Sequence, residues 1–496
     1  MSLFRWMGIG AVAAAAVAAA PARAHAFCGF FVAGSDAKLT NNASQVVLMR
    51  KGNRTVMTMS NNYQGPPENF AMVVPVPVVL HKDDVKTLPA DVFDRVDSLS
   101  APRLVEYWEQ DPCAQTYGIG GLGLVGSGSG GGGKMAKKEK AGDLGVTIEA
   151  QFVSGEYQIL ILSATDSSGL ETWLRREKYS IPQGAAAALA PYIRDKSKFF
   201  VAKVDIKKVR RDAQGVVQLS PLRFQFDSNE LRLPVRLGLL NAGGKQDLIV
   251  YVIHPTSRFE VANYANTFIP TNLEVADGVR NNFPAFFAEL FDATVERMGR
   301  KVVVTEYAWQ TTGCDPCPTP PLTDSDLATL GLDVLEGVGV AVPPGQQPGA
   351  GAPARRGRFF GGGASWVLTR LHTRYSKETL SEDLIFREAK PAMGGRANWN
   401  GTNGDEGATV AEGGVNNFQG RYIIRHYWDG PVACKAPHYD EWGGPPGNPN
   451  ARPQPTAAKG LATAPRGKVV LKEEVRSPVP LLGIAGKPPH RRRGTP

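Results

Sequence analysis

Polar and apolar residues alternate at 45–49 and again at 54–60, on either side of Lys51-Gly52-Asn53, and this pattern predicts a β-hairpin. Residues 70–80 (FAMVVPVPVVL) are valine-rich like a strand, but Pro75 and Pro77 each remove a ladder donor, which assigns the segment to a sheet edge or a bulge. The patterns at 91–99 and 103–109, separated at Ala101-Pro102, predict two short helices. A strand at 157–164 is followed by predicted helices over 168–178, capped by Ser167 or Ser168, and over 183–194, after Ile181-Pro182. Strands are then predicted at 199–206, 222–226, 233–239, 248–253 and 259–264, with NAGGK (241–245) as the tight connection among them. A phenylalanine-rich helix over 283–298 precedes strands at 301–309, 366–375, 384–388 and 421–427. Strand following strand, with helices clustered between, gives an α+β fold of predominantly antiparallel β-sheet with interspersed short helices.

The periodicity fails in four places. Residues 118–145 and 342–363 are low-complexity inserts rich in glycine, the second also in proline. From Lys435 to Pro496, Pro, Gly, Ala and Arg dominate, and such a tail buries too little to offset its ordering entropy, so it is predicted to be disordered. At the other end, Arg5 precedes an alanine-rich run over 9–20, Pro21, and the overlapping sites Ala22-Arg23-Ala24 and Ala24-His25-Ala26. That is the layout of a cleavable secretory signal peptide, and the run is short of the about 20 residues that cross a bilayer. Lipidation of Cys28 is rejected because Phe27 is too bulky for a lipoprotein signal. The predicted organisation is thus a signal peptide (1–26), an α+β body (27–434) and a tail (435–496). No transmembrane segment is expected after cleavage, and the predicted location is periplasmic or extracellular.

The formal net charge of +9 does not describe the body. The tail carries 11 Lys/Arg against 4 Asp/Glu and the signal segment adds Arg5 and Arg23, which leaves residues 27–434 near neutrality. Nucleic acid is therefore not an expected partner, whereas an anionic envelope surface suits the tail. Five cysteines remain after processing: Cys28, Cys113, Cys314, Cys317 and Cys434. In an oxidising compartment they are disulfide candidates with one thiol left over, and spacing does not fix the connectivity. One hypothesis is that Cys28 and Cys434 tie the ends of the body to its interior, with Cys314 and Cys317 closing their own loop or pairing outward.

Candidate chemistry is sparse. Cys314-Asp315-Pro316-Cys317 matches a dithiol spacing, but Pro318-Thr319-Pro320-Pro321 starts no helix behind it, and a structural disulfide is favoured over redox work. A zinc site needs further ligands, while His81, His254, His372, His426, His438 and His490 are scattered, so no metal and no cofactor is assigned. His372 and His426 lie in strand text and are read as core or surface histidines. GSGGGGK (128–134) resembles a phosphate loop but is followed by Met135 where Ser or Thr must hold magnesium, and it is read as a linker. Ser127 and Ser129 sit in no G-x-S-x-G; Glu306, Glu382 and Asp383 adjoin apolar strand text, and paired carboxylates are too common to license a glycosidase without known geometry, so no catalytic residue is assigned. Trp366, Trp399, Trp428 and Trp442 crowd the last quarter with Tyr375, Tyr422 and Tyr427, either as core or as an aromatic face for glycans or partner proteins. Core packing is favoured at strand positions such as Trp366, while Trp442, in the tail, has no core to join.

Several strings together carry a resemblance: CGFFV at 28–32, NNYQGPPENFAMVVPVP at 61–77, GLETWL at 169–174, Cys314-Asp315-Pro316-Cys317, LTRLHTRYSKETLSEDLIFREA at 368–389 and FQGRYIIRHYWDGPVAC at 418–434. Over nearly all of 27–434, outside the two inserts, the chain resembles the bacterial family known as domain of unknown function 2330. The resemblance implies an exported protein and supplies no catalytic residues. Some members end in a membrane or sorting segment, from which this polar, proline-rich end departs. The expectation is a non-enzymatic envelope scaffold or binding module with structural disulfides, its partner an envelope protein or a glycan. The alternative is a thiol-disulfide or metal-dependent enzyme using Cys314 and Cys317.

Overall fold

A computed structural model describes residues 30–33, 43–60, 70–113, 144–179, 181–211, 217–240, 244–336, 366–396, 411–451, 454–457 and 464–487. The predicted signal peptide, Cys28, most of the first low-complexity insert, all of the second, and Trp399 lie outside them.

The short β1 (Phe30–Ala33) precedes the expected hairpin of β2 (Ala43–Lys51) and β3 (Arg54–Met59), which turns at Gly52 with a φ of 58°. After β4 (Phe70–Val76) and β5 (Val85–Thr87) come helix α1 (Asp91–Ser100) and β6 (Arg103–Glu109). Strands β7 (Val146–Ser154) and β8 (Tyr157–Ala164) lead into helices α2 (Ser167–Arg176) and α3 (Ala185–Arg194). Next are β9 (Lys198–Val204), the two-residue β10 (Arg210–Arg211) and β11 (Val217–Gln218), then β12 (Leu222–Asp227) and β13 (Leu231–Leu233). Strands β14 (Gln246–His254), β15 (Arg258–Val261), β16 (Ala265–Phe268) and β17 (Leu273–Glu274) precede helix α4 (Phe283–Arg297) and β18 (Val302–Gln310). The chain continues through β19 (Val367–Tyr375), β20 (Leu384–Ala389), β21 (Ala392–Gly394), β22 (Ala411–Glu412) and β23 (Asn417–Gln419). β24 (Arg421–His426), β25 (Trp442–Gly443) and β26 (Thr456–Ala457) follow, and a short helical turn over Leu471–Glu474 comes after them.

The architecture is the expected α+β, mostly antiparallel, with parallel pairings that include β14 with β2, β24 with both β6 and β17, β16 with β18 and β21 with β23. Because successive strand residues point to opposite faces, the central strands are apolar on both sides. Val46 and Leu48 of β2 join Met72 of β4 and Ile159 of β8 in a core between the large sheet and the five-stranded sheet β1-β4-β9-β8-β7. Their neighbours Val47 and Met49 face the other way and pack on Val92, Val96 and Leu99 of α1. Leu170 and Leu174 of α2, with Leu189 and Tyr192 of α3, cover the far side of the smaller sheet through Ala71, Val73 and Val201. A fourth core gathers Phe283, Phe286, Phe287 and Phe291 of α4 against Val302 and Val304 of β18 and Tyr422 of β24.

Several expectations need correction. Residues 103–109 form strand β6, not a helix: Val105, Tyr107 and Trp108 suit a strand, and pairing with β24 aligns Arg103 with Arg421 through Trp108 with His426. Residues 233–239 supply the end of β13 and then a 3₁₀ turn over Arg236–Leu240, since Pro234 interrupts the ladder and Leu237 is drawn into the α2/α3 core. The cap of α2 is Asp166, whose carboxylate accepts from the Gly169 N–H at 2.6 Å, rather than Ser167 or Ser168. Strand β4 is flanked on both sides, but β1 covers only Phe70 to Val73, so Pro75 and Pro77 fall beyond it, where one side is an edge.

The predicted disorder of 435–496 is narrowed by the described stretches of that tail, which dock on the body. Trp442 joins β6 as part of β25, Val475 bridges Val275, and Val475 and Val479 are wholly buried against the α4 core. A segment that adds single residues to an existing apolar face needs no amphipathic period of its own, which is why composition did not reveal it.

Candidate ligand cleft

Strands β6 and β24 run parallel, and at their C-terminal ends the Trp108 ring stacks on His426 with centroids 4.6 Å apart and planes 15° from parallel. Glu106, two residues earlier on β6, accepts from Arg280 Nε and Nη2 at 2.7 and 2.5 Å and lies 2.9 Å from His426 Nε2. Burial pushes the Glu106 carboxyl up, but the Arg280 and His426 contacts outweigh it and hold it below its usual range. Glu274, on β17, accepts from Arg425 Nη1 at 2.8 Å and from the Tyr427 hydroxyl at 3.0 Å. Glu109 accepts the backbone N–H groups of Trp428 and Asp440 at 3.0 and 2.9 Å. Tyr427 meets the Trp442 ring edge-on at 5.3 Å, and the Arg425 guanidinium lies over the same ring.

Several of these groups border a cleft of ≈ 630 Å³ lined by Trp108, Tyr427, Trp428, Glu274, Arg425 and Arg476, among others. Arg476 comes from the tail, where its N–H donates to the Glu274 carbonyl at 2.8 Å and Ser477 Oγ accepts the Glu274 N–H at 2.9 Å. The aromatic residues of the last quarter therefore divide. Trp366, Tyr375 and Tyr422 are core, as favoured for Trp366, whereas Tyr427, Trp428 and Trp442 remain half-buried at or beside the cleft. Trp442 belongs to none of the four cores, yet it docks beside β6 and Tyr427. Trp108, the cleft residue that sequence reasoning passed over, was hidden by reading its strand as a helix.

A second polar centre lies inside the large sheet. Arg370 and His372 alternate on one face of β19, and Glu306 sits at an irregularity of β18, where the register shifts between Thr305 and Tyr307. The bulge turns the carboxylate inward. His372 Nδ1 lies 2.6 Å from Glu306 Oε1 and its Nε2 3.2 Å from Asp247 Oδ1, while Phe291 stacks on the ring at 3.8 Å. Arg370 donates to Glu306 and to Asp97, both at 2.6 Å, and the Tyr251 hydroxyl also donates to Asp97. From the tail, Arg466 reaches Asp247 at 3.0 Å and also binds Asp292. Burial pulls the His372 imidazole down, but Glu306 and Asp247 raise it above its ordinary value; burial likewise opposes the Glu306 charge, yet His372 and Arg370 hold that carboxyl below its usual range. With both ring nitrogens taken by carboxylates, His372 has none left to accept a proton from a substrate, so the centre is a structural charge network.

Among the described residues, no group of three or more His, Cys, Asp or Glu is placed to hold a metal ion. Glu382 and Asp383 do not form a carboxylate pair at a cleft: Asp383 is buried and receives the Tyr192 hydroxyl at 2.7 Å and the Val235 N–H at 3.1 Å. The sulfurs of Cys113 and Cys434 are at disulfide-bonding distance with Cα atoms 5.5 Å apart, and those of Cys314 and Cys317 likewise with Cα atoms 5.0 Å apart. Sequence spacing left these partners open.

The profile of a family described as an uncharacterized protein conserved in bacteria (DUF2330) matches residues 21–387. The chain belongs to this family. The DUF2330 match ends before β24, so the cleft draws Trp108, Glu109, Glu274, Val275 and Asp277 from the matched region and its remaining lining residues from beyond it. No curated protein and no solved structure matches the chain. Among the described residues, no helix is long and apolar enough to cross a membrane.

Proposed function

We propose that this DUF2330 protein is an exported, non-enzymatic binding module of the bacterial envelope, and that its cleft takes a short glycan. One observation carries the reading: half-buried aromatic rings and pre-oriented polar groups converge on a single concavity of ≈ 630 Å³. Indole and phenol faces stack on the C–H faces of a pyranose, while hydroxyl groups need donors and acceptors together. Arg425, Arg476 and the Glu274 carboxylate supply both, and the Arg425–Glu274–Tyr427 contacts hold two of these groups in place before a ligand arrives. Both oxygens of Glu109 already accept protein N–H groups, so this carboxylate is built into the wall. A concave site favours a small ligand over a flat protein partner, which buries about 800 Å² on each side.

Titration of tryptophan fluorescence with peptidoglycan fragments, chitooligosaccharides and neutral glucans tests this. At least one class is expected to give saturable binding, weakened about tenfold, or about 1.4 kcal/mol, by Trp108→Ala or Trp428→Ala. A flat response across the panel, or equal binding by both variants, would refute a glycan site.

Export is supported by the N-terminal text and by two cysteine pairs at bonding distance, which suit an oxidising compartment. Cell fractionation with peptide mapping in the absence of reductant is expected to find a processed chain with Cys113–Cys434 and Cys314–Cys317 peptides. An intact precursor in the cytosol with five free thiols would overturn the proposal.

A further inference from the structure

The loop of Cys314 and Cys317 follows the end of β18, with both cysteines half-buried. Buried donors from three strands grip its backbone. Arg103 Nη1 on β6 donates to the Pro316 carbonyl at 2.9 Å, the Tyr307 hydroxyl on β18 donates to the Gly313 carbonyl at 3.1 Å, and Gln419 Nε2 on β23 donates to the Asp315 carbonyl.

The charge beneath the loop is unbalanced. Arg103 is fully buried, yet its hydrogen bonds go to backbone carbonyls: Nη2 donates to Leu99 and Ala101, and Nε has no acceptor among the described residues. Its register partner on β24 is Arg421, also buried, which donates to the neutral Asn272 and Tyr107 side chains. Burial is the main force pulling the Arg103 guanidinium down to about 10; Tyr307 and Asp315 oppose the fall, while Arg370 and Arg421 add to it. Asp315, between the two cysteines, is the carboxylate that faces this charge. A buried guanidinium without a carboxylate partner is costly, and the neutral disulfide of the loop whose Pro316 carbonyl it holds does nothing to offset it. Reduction would place a thiolate there, which nearby positive charge stabilises.

We infer that Cys314–Cys317 is an exchangeable disulfide that trades electrons with dithiol proteins or small thiols, with Arg103 and Arg421 as residues that favour its reduced, thiolate form. In the reductive direction, a thiolate of the partner attacks one sulfur of the pair. The Cys314–Cys317 bond breaks, and the other sulfur leaves as a thiolate. The partner's second thiolate then attacks the mixed disulfide and releases the first cysteine. Two electrons pass to Cys314–Cys317, and the partner dithiol becomes a disulfide. This inference is independent of the glycan cleft, and either can fail without the other.

The test follows alkylation of Cys314 and Cys317 by iodoacetamide against pH in the reduced full-length protein, read by mass spectrometry. The midpoint is expected clearly below the about 8.5 of an ordinary thiol. Asp315→Asn removes a half-exposed negative charge, which also faces Arg396 at 4.0 Å, without disturbing the core, and it should lower the midpoint further. Arg103→Met should raise it by at least a unit, a tenfold loss of thiolate at neutral pH. In graded glutathione buffers, Cys314–Cys317 is expected to open at a concentration of reduced glutathione at least tenfold below that needed for Cys113–Cys434. A wild-type midpoint at or above the ordinary value, an Asp315→Asn midpoint that stays put or rises, or opening of both pairs together would each overturn the inference. The Asp315→Asn arm keeps the test decisive even where Arg103→Met fails to fold.

Discussion

Between Glu306 and Asp247, His372 is a cation that the interior needs, and this gives stability a two-sided dependence on pH. Its pKa is raised from 6.5 on folding, so its contribution is complete below 6.5 and is lost as pH rises through the folded value. The Glu306 pKa is lowered from 4.5, so its contribution is complete above 4.5 and is lost as pH falls through the folded value. Urea unfolding across pH is therefore expected to show greatest stability between these limits. His372→Gln leaves two buried carboxylates short of a partner and should cost about 3–5 kcal/mol near pH 6, while flattening the alkaline decline. A variant as stable as the parent, or one that keeps the alkaline decline, would contradict this role. The strand over 366–375 and the place of His372 in it were legible in sequence; the bulge that turns Glu306 toward His372 and Arg370 was not, because it depends on register with another strand.

At the scale of elements, long segments with a clear period formed where predicted. β8 and α4 are examples, since a half-buried element must repeat its apolar residues in step with its own geometry. Short segments were divided: β12 and β20 formed where predicted, whereas 103–109 and 233–239 did not. The seven residues of β6 suit helix or strand, and a partner more than 300 positions away in β24 decides between them. The tail is the same case in stronger form. Val475 and Val479 complete a core that α4 had already built, and their neighbours Arg466 and Arg476 reach the charge network and the cleft. Val475→Asp or Val479→Asp places a carboxylate in a fully buried position and is expected to destabilise the protein by about 3 kcal/mol or more. Limited proteolysis should then cut within 464–487 before the body is attacked. Unchanged stability and an unchanged cleavage pattern would remove the docking role of this segment.

Across the whole molecule, Cys113 and Cys434 are 321 positions apart in sequence and lie together beside the cleft strands. A bond between them removes much of the freedom of the unfolded chain, and Cys113→Ser in oxidised protein is expected to cost about 2–5 kcal/mol, read by urea unfolding. Loss of less than about 1 kcal/mol would mean that packing alone holds this end. By itself, the sequence determined the fold class, the hairpin, the four longer helices, the central strands and the residue types available for chemistry, because periodicity and turn chemistry are local properties. Tertiary structure decided which cysteines stand together, that Trp108, Tyr427 and Trp428 line one cleft, and that two tail arginines reach the body. Those outcomes depend on which distant surfaces remain to be buried or neutralised once the local elements have formed, and no window of neighbouring residues contains that information.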